Sequence, residues 1–201
     1  MEAPELDATI DGRRARRERG RAAVTNAVIE LVFEGRLPPS AEEIAERANV
    51  SVTSVFRYFD TLDDLRRATT DVYFERYAHL FEIPSIGAGT LAERIEAFVA
   101  SRVTLYETNA PMARFIRLRA PEQAEVDALV HRVRATRADQ IRHHFDHELS
   151  RLTPAARDDA VMIIGTLTSF ESWDQARNDH ARSPRQLRRA WAAALDRLLP
   201  R

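Results

Sequence analysis

The stretch from Pro39 to Phe59, PSAEEIAERANVSVTSVFRYF, contains two short runs of regularly spaced apolar residues. Their apolar positions are Ala41, Ile44, Ala45 and Ala48 in the first run, and Val52, Val55, Phe56 and Phe59 in the second. Spacings of three and four residues place side chains on one face of an α-helix, so each run predicts a short helix. Helices this short are marginal in water, and we therefore expect both to be held by packing on longer ones.

Polar residues with the chemistry of helix caps stand at the start of both runs. Ser40 and Glu43 have the spacing of a capping box, in which each side chain bonds the backbone amide of the other residue. Ser51 has the capping position ahead of the second run. Asn49, between the runs, tolerates the left-handed backbone that ends a helix sharply. The stretch therefore predicts a helix, a tight turn and a second helix.

Two longer helices are available to support this pair. One is predicted from about Asp11 to Glu34 and is closed by Gly35. The other opens at Thr61, with Asp64 three residues later, and is expected to extend to about Phe81. If the apolar faces of the short helices pack on these supports, the polar face of the second short helix is left exposed. That face carries Ser51, Thr53, Ser54, Arg57 and Tyr58.

A braced helix pair with one exposed polar face has the layout of a helix-turn-helix DNA reader. The DNA major groove accepts one α-helix, and small Ser and Thr side chains allow close approach to base edges. The helix starts at Ser40 and Thr61 offer backbone N–H groups to phosphates, and RRARRERGR at residues 13–21 adds positive charge. A helix pair in an ordinary core, with solvated arginines, is the structural alternative. The candidate DNA-binding residues are Arg13, Arg14, Arg16, Arg17, Ser40, Ser51, Val52, Thr53, Ser54, Arg57, Tyr58 and Thr61.

Composition excludes several classes of protein. The 201 residues, 44% of them hydrophobic, are enough for one or two packed domains. The absence of cysteine excludes a disulfide framework and a cysteine nucleophile. The net charge of −1 predicts no general attraction to polyanions, so DNA binding would depend on local basic surfaces. With no signal-peptide pattern and no apolar run approaching ~18 residues, we expect a soluble, cytoplasmic protein without a membrane span.

Helical periodicity continues to the end of the sequence, and no convincing strand pattern is present. We therefore predict an all-α fold, with a three-helix helix-turn-helix domain and a larger C-terminal helical domain. The domain limits are residues 1–60 for the DNA-binding domain, 61–82 for a connecting helix and 83–201 for ligand binding and dimerisation. In the last of these, helices are expected from Thr90 or Leu91 to about Glu107, and over 109–120, 121–152, 153–179 and 183–199.

Residues 40–65, SAEEIAERANVSVTSVFRYFDTLDDL, resemble the DNA-binding region of TetR-type (tetracycline-repressor-like) transcriptional regulators. The resemblance implies a homodimer that binds a palindromic double-stranded DNA operator and is released by a small-molecule effector, and hence a repressor. The family usually has Gly at the position of Asn49, Tyr at that of Phe56 and Lys at that of Leu62. The last two are common phosphate contacts, so we expect fewer such contacts here.

Two C-terminal segments carry the apolar surface expected of a dimer interface. Between Asp159 and Trp173, apolar residues occupy more than one helix face, which predicts burial on two sides. Paired with the last helix, this segment would form a four-helix interface about a two-fold axis. The alternative is that the apolar residues of both segments are buried in the core of a single protomer. The candidate interface residues are Val161, Ile164, Gly165, Thr168, Leu187, Trp191, Leu195 and Leu198.

The helices between these regions contain aromatic, methionine and isolated polar residues, the composition of a ligand cavity. The same side chains at helical spacing also fit an ordinary core. Arg102 would bind an acidic or carbonyl ligand and Glu171 a cation, and the sequence does not choose between them. The candidate ligand-binding residues are Phe98, Arg102, Tyr106, Phe115, Phe170, Glu171 and Trp173.

Other functions have weaker support in the sequence. His143 and His147 are one helical turn apart, which would allow a shared Zn²⁺ or Ni²⁺ ion, but solvated histidines are the simpler interpretation, and we predict no metal and no cofactor. No nucleophile with a base, glycine-rich phosphate loop or HExxH pair indicates an enzyme. A helical dimer that binds proteins instead of DNA is the remaining alternative.

Overall fold

Helices provide all the regular structure in the computed structural model, which describes residues 5–121 and 123–201, without the side chains of residues 5–11 and 13. No strand occurs in these ranges, so the all-α prediction is confirmed. The chain divides between Ala78 and His79 into an N-terminal and a C-terminal unit. The N-terminal unit contains α1 (Glu5–Phe33), α2 (Ala41–Arg47), α3 (Val52–Tyr58) and α4 (Leu62–Arg76). After a 3₁₀ turn (Ala78–Phe81), the C-terminal unit contains α5 (Leu91–Arg119), α6 (Ala124–His144), α7 (Asp146–Leu149), α8 (Pro154–Leu167), α9 (Phe170–Asn178) and α10 (Pro184–Leu198).

The core of the N-terminal unit forms where α1 packs against α2, α3 and α4. Both short helices thus rest on a long one, as their lengths require. α4 is shorter than predicted, because Tyr77 leaves helical geometry with its ring against Tyr73 and Phe33. The buried apolar side chains of the unit include Val24, Val28, Leu31, Val32, Ile44, Val55, Phe59 and Leu65.

In the C-terminal unit, α5 is one helix of 29 residues that contains Pro111, so the predicted break near Glu107 is wrong. A proline inside a helix removes one backbone hydrogen bond and costs about 3 kcal/mol. The buried side chains of Tyr106 and Met112, on either side of Pro111, and of Phe115 one turn later offset this cost by packing in the core.

The opposite error occurs at two places where a single helix was predicted. Residues 153–179 form α8 and α9, separated at Thr168, and Ser169 caps α9 by accepting a 3.1 Å hydrogen bond from the amide of Ser172. Residues 121–152 form α6 and the single turn α7, with Phe145 between them. α5 packs against α6, α9 and α10, and α6 packs against α8. Helical periodicity alone does not reveal such short interruptions.

Candidate nucleic-acid interface and effector site

The start of α2 is fixed by the predicted capping box. The backbone amide of Ser40 donates to Glu43 Oε2 at 2.9 Å, and the amide of Glu43 donates to Ser40 Oγ at 3.2 Å. Asn49 has a φ of 52°, the left-handed conformation expected in the turn. Ser51 then caps α3 by accepting a 3.1 Å hydrogen bond from the amide of Ser54. The helix, turn and helix predicted from residues 39–59 are confirmed.

α3 presents a mixed surface to solvent. Ser51, Thr53 and Arg57 are exposed, Val52, Ser54 and Tyr58 are half-buried, and Val55 and Phe59 are in the core. Phe56, which the periodicity placed on the buried face, is 44% exposed. The contact face of a helix with only two turns is narrow, and here Val55 and Phe59 fill it.

The end of α3 is held to α1 by two contacts. Arg21 donates a hydrogen bond to the backbone oxygen of Tyr58, and its guanidinium carbon lies 4.2 Å from the centre of the Phe59 ring. The ring of Tyr58 lies against Gly20, where a β-carbon would clash with it. Arg21 therefore positions α3, a role that its place in the arginine run did not reveal.

The arginines of the N-terminal unit differ in how far their charge is already paired. Arg14 lies 3.0 Å from Glu18, whereas no described carboxylate pairs with the exposed Arg16, Arg17 or Arg57. The predicted contact Arg13 has a side chain outside the described residues. Arg47 makes a bidentate ion pair with Glu34, with N–O distances of 2.8 and 2.7 Å. Arg16, Arg17 and Arg57 therefore have charge available for phosphates.

The first turns of α2, α3 and α4 also differ in charge. α2 and α4 each have two acidic residues in the first turn, and their capping amides at Ser40 and Thr61 already donate to Glu43 and Asp64. The first turn of α3 contains no acidic residue. Because a negative charge competes with phosphate for free N–H groups, the start of α3 is the best placed of the three to approach DNA.

The predicted ligand-binding residues lie in the C-terminal unit, and all but Glu171 are buried. Tyr106, Phe170 and Trp173 form one aromatic cluster with ring centres 5.5 to 6.0 Å apart. Phe98 packs instead on Phe145, at 5.4 Å. Phe115, also predicted, is buried beneath the guanidinium of Arg119.

Glu171 is not part of the buried cluster. Its carboxylate lies 3.0 Å from Arg117 and 2.9 Å from Arg134, at the surface. Partial burial alone would raise the pKa of Glu171, but hydrogen bonds and positive charge from Arg117, supported by Arg134, lower it to about 2. Its charge is thus already balanced by two guanidinium groups, which weakens the prediction that it binds a cation.

Two polar cross-links connect α5 and α6. Arg102 Nη2 donates to Gln140 Oε1 at 2.8 Å, and Arg137 Nη1 donates to Tyr106 Oη at 3.0 Å. Tyr106 Oη in turn donates to the backbone oxygen of Thr168 at 2.9 Å. Arg137 and Gln140 were not among the predicted residues, because their contacts with α5 join positions 31 and 38 residues apart in the sequence.

The predicted dimer residues are largely inside the protomer. Val161, Ile164, Thr168, Leu187, Trp191 and Leu195 are buried in the C-terminal unit, while Gly165 and Leu198 are half-buried. They pack against their own chain, so they have little surface to offer a second one. The large apolar side chains that α8 exposes are Met162, at 58%, and Ile163, at 43%.

His143 and His147 lie on different helices, α6 and α7. His143 is exposed, and His147 Nδ1 lies 3.1 Å from Glu148 Oε1. Within residues 5–121 and 123–201, no three His, Cys, Asp or Glu side chains come together as a metal ion would require. In the same ranges, every helix is too short or too polar to cross a bilayer.

The chain matches no protein-family model and no curated protein sequence. It is similar to solved structures at low identity. A transcriptional regulator from Rhodococcus sp. Rha1 is 18% identical, with a TM-score of 0.65 over 90% of this chain and 95% of that one. A TetR transcription regulator from Haloarcula marismortui ATCC 43049 is 17% identical, with a TM-score of 0.67 over 90% and 98%.

A third similar structure is that of the multidrug binding protein EbrR complexed with imidazole. It is 17% identical, with a TM-score of 0.59 over 92% of this chain and 96% of that one. Matches that cover nearly all of both chains include both units, although identities this low establish the fold alone. The chain therefore has the fold of the TetR-type transcriptional regulators, as the resemblance of residues 40–65 predicted.

Proposed function

We propose that this protein is a ligand-responsive DNA-binding transcriptional regulator, a repressor that binds a palindromic operator as a homodimer. The observation that carries the proposal is α3, a short helix capped by Ser51 and braced on α1, with Thr53 and Arg57 exposed. Its width fits the major groove, and its start has no acidic residue to repel phosphates. The exposed Arg16 and Arg17 would hold the DNA backbone.

Dimerisation is proposed through the exposed apolar surface of α8. Met162 and Ile163 are two of the four large apolar side chains exposed among the described residues. A two-fold interface places the same surface of each copy against the other, so this pair would meet its own symmetry mate. Two recognition helices related by that axis read a palindrome whose half-sites are about one helical turn apart.

The effector is proposed to bind in the C-terminal unit, around Tyr106 and the buried side chains near it. The similar structure of a multidrug binding protein complexed with imidazole supports a small-molecule site in this fold. Effector binding would release DNA by changing the separation of the two recognition helices. Such coupling requires that the effector bind the DNA-free and DNA-bound states with different affinities.

One observation favours a second function, a helical dimer that binds proteins. Phe56 exposes 44% of its surface on α3, and an exposed aromatic side chain is typical of protein interfaces. DNA binding that falls steeply with salt would argue against this alternative.

The proposal is tested by capturing fragments of the organism's own genome on the purified protein and footprinting the bound DNA with hydroxyl radicals. We expect two equally protected patches, related by two-fold symmetry, on one face of the duplex. A Thr53→Glu variant, which places a negative charge on α3, should bind no fragment specifically. Uniform protection, or equal binding by the variant, would contradict the proposal.

A further inference from the structure

A row of buried polar side chains follows one face of α5. Arg102, Tyr106 and Asn109 are spaced by four and three residues, which aligns them along the helix. They are only 1%, 2% and 3% exposed. Neither polar atom of the Asn109 side chain has a hydrogen-bond partner among the described residues. Buried polar groups are normally paired, so this row has unused capacity to bind.

Arg102 is the most unusual member of the row. One of its terminal nitrogens donates to Gln140, but the other, Nη1, is buried without a hydrogen-bond partner among the described residues. Among the described residues, no carboxylate lies within ion-pair distance of the Arg102 guanidinium. Burial lowers the pKa of Arg102 to about 10; Tyr106 opposes this shift, and the positive charge of Arg137 adds to it. An arginine this deeply buried ordinarily has an anionic partner.

Arg137 adds a second unbalanced positive charge close to the first. It donates to Tyr106 Oη, and its Nε is buried without a described partner. It also lines a groove of about 580 Å³ between α6 and α8. The other three arginines of that groove, Arg117, Arg134 and Arg142, each pair with a carboxylate, at distances of 2.9 to 3.1 Å. Arg137 is thus the groove arginine that no described carboxylate neutralises.

We infer that the effector is an organic anion whose carboxylate binds between Arg102 and Arg137, beside the hydroxyl of Tyr106. This inference rests on the proposed function, since it names the chemical class of the effector. The apolar part of the molecule would lie in the groove along Ala138 and Val161, and the volume of this groove is within the range of small-molecule sites. One carboxylate placed between the two guanidinium groups would neutralise one of their two positive charges and supply the missing acceptor for Arg102 Nη1.

The acidic side chains of the unit do not favour a cationic effector. Glu148, which is buried, is paired with Arg94, and Glu171 is paired with Arg117 and Arg134. A cation placed beside Arg102 and Arg137 would be repelled by both. The charge distribution therefore favours an anionic effector over a cationic one, a choice that the sequence left open.

The test uses matched probes: naphthalene-2-carboxylate, its neutral amide and the corresponding methylamine, with inorganic phosphate as a bare oxyanion. Binding is followed by thermal shift and by tryptophan fluorescence in a Trp191→Phe background, which leaves Trp173, 6.0 Å from the Tyr106 ring. We expect only the carboxylate to raise the Tm and change the fluorescence saturably. Stabilisation by the amine or amide, an equal effect of phosphate, or no binding of the carboxylate would overturn the inference.

Variants connect the response to the proposed residues. Arg102→Met and Arg137→Met should each weaken carboxylate binding by about 10- to 100-fold, the usual contribution of a hydrogen bond to a charged group. Arg102→Lys keeps the positive charge, so its loss of carboxylate affinity should be smaller. This variant tests the role of the charge even if Arg102→Met does not fold. Arg189→Met, at an exposed position of α10, is the control and should bind as the wild type does. Unchanged binding by both methionine variants would contradict the assignment.

DNA binding of the same preparations separates the inference from the function on which it rests. Specific DNA binding without any carboxylate response would overturn the anion site and leave the regulator intact. Carboxylate binding that depends on Arg102, in a protein without specific DNA binding, would overturn the proposed regulator and leave the anion site.

Discussion

Tyr58 packs its ring on α1 at Gly20, where an added β-carbon would lie 2.3 Å from Tyr58 Cζ. Only a residue without a side chain leaves room for this contact. Together with the hydrogen bond from Arg21 to the Tyr58 backbone oxygen, it sets the position of the end of α3. The direction in which α3 presents Thr53 and Arg57 therefore depends on a glycine in a neighbouring helix.

Gly20→Ala should destabilise the N-terminal unit, because the Tyr58 ring must move away from α1. We expect a free energy of unfolding about 1–2 kcal/mol lower than that of Gly12→Ala, measured by urea denaturation. Gly12 lies in the same helix, and outside the helix backbone no described atom comes within 4 Å of an added β-carbon, so there alanine should gain up to about 1 kcal/mol of helix propensity. In a Tyr58→Ala background the cost at Gly20 should disappear. If Gly20→Ala and Gly12→Ala change the free energy of unfolding equally, the contact between Gly20 and the Tyr58 ring does not contribute to stability.

Arg57→Ala should weaken operator binding, because an exposed arginine on α3 is lost from the DNA contact surface. The plot of log affinity against log salt should become shallower by about one unit. Arg47→Ala is the matched control, since Glu34 already holds that guanidinium in an ion pair. An equal change of slope in the two variants would mean that Arg57 does not contact phosphate.

Leu62→Lys should strengthen DNA binding by restoring a cation where TetR-type regulators usually have lysine. The salt dependence should steepen by about one unit if the new ammonium contacts a phosphate. Phe56→Tyr adds a neutral hydroxyl, so it should raise affinity without changing the slope. Fluorescence anisotropy with labelled operator at several salt concentrations measures both effects. If neither substitution raises DNA affinity, positions 56 and 62 do not lie at the DNA contact surface.

The C-terminal unit should lose stability in acid because of His144. Its neutral ring accepts a hydrogen bond from the Gly87 amide at 3.1 Å and donates to the Arg94 backbone oxygen at 2.8 Å. Burial lowers the pKa of His144 below 6.5; the hydrogen bond with Arg94 and the charge of Glu148 oppose the shift, and the charges of Arg94 and Arg102 add to it. The unfolded chain therefore takes up this proton first, and stability falls as pH decreases below about 6.5.

Thermal unfolding between pH 8 and pH 5 measures this dependence. Replacing His144 with glutamine should flatten the fall of Tm with acidity, whatever its effect at pH 8. His143→Gln, at the exposed neighbouring position, should leave the pH dependence unchanged. A wild-type Tm that is constant across this range, or the same slope in both variants, would contradict the role assigned to His144.

The N-terminal unit was largely predictable because its signals are local. The capping pairs Ser40 with Glu43 and Thr61 with Asp64 span four residues each, and each formed as predicted. The end of α4 was predicted too late, and the exposure of Phe56 was missed. A spacing rule places Phe56 on a face without showing how wide the supporting surface is.

The C-terminal unit was less predictable because its decisive contacts join distant parts of the chain. Packing around Pro111 outweighs the usual effect of proline, and no local pattern reveals this. Periodicity showed that α8 is apolar on several sides but not that Ile164 faces its own core while Ile163 faces solvent. The pairing of Arg102 with Gln140, 38 residues away, likewise follows from the fold alone.

The most direct test of the central claim is selection of bound sequences from random duplex DNA by the purified protein, at two salt concentrations. We predict a palindromic consensus with half-sites about one helical turn apart, enriched at both salt concentrations and absent with Thr53→Glu. Salt-sensitive background binding without any enriched sequence would contradict a DNA-binding regulator, and the protein-binding alternative would then take its place.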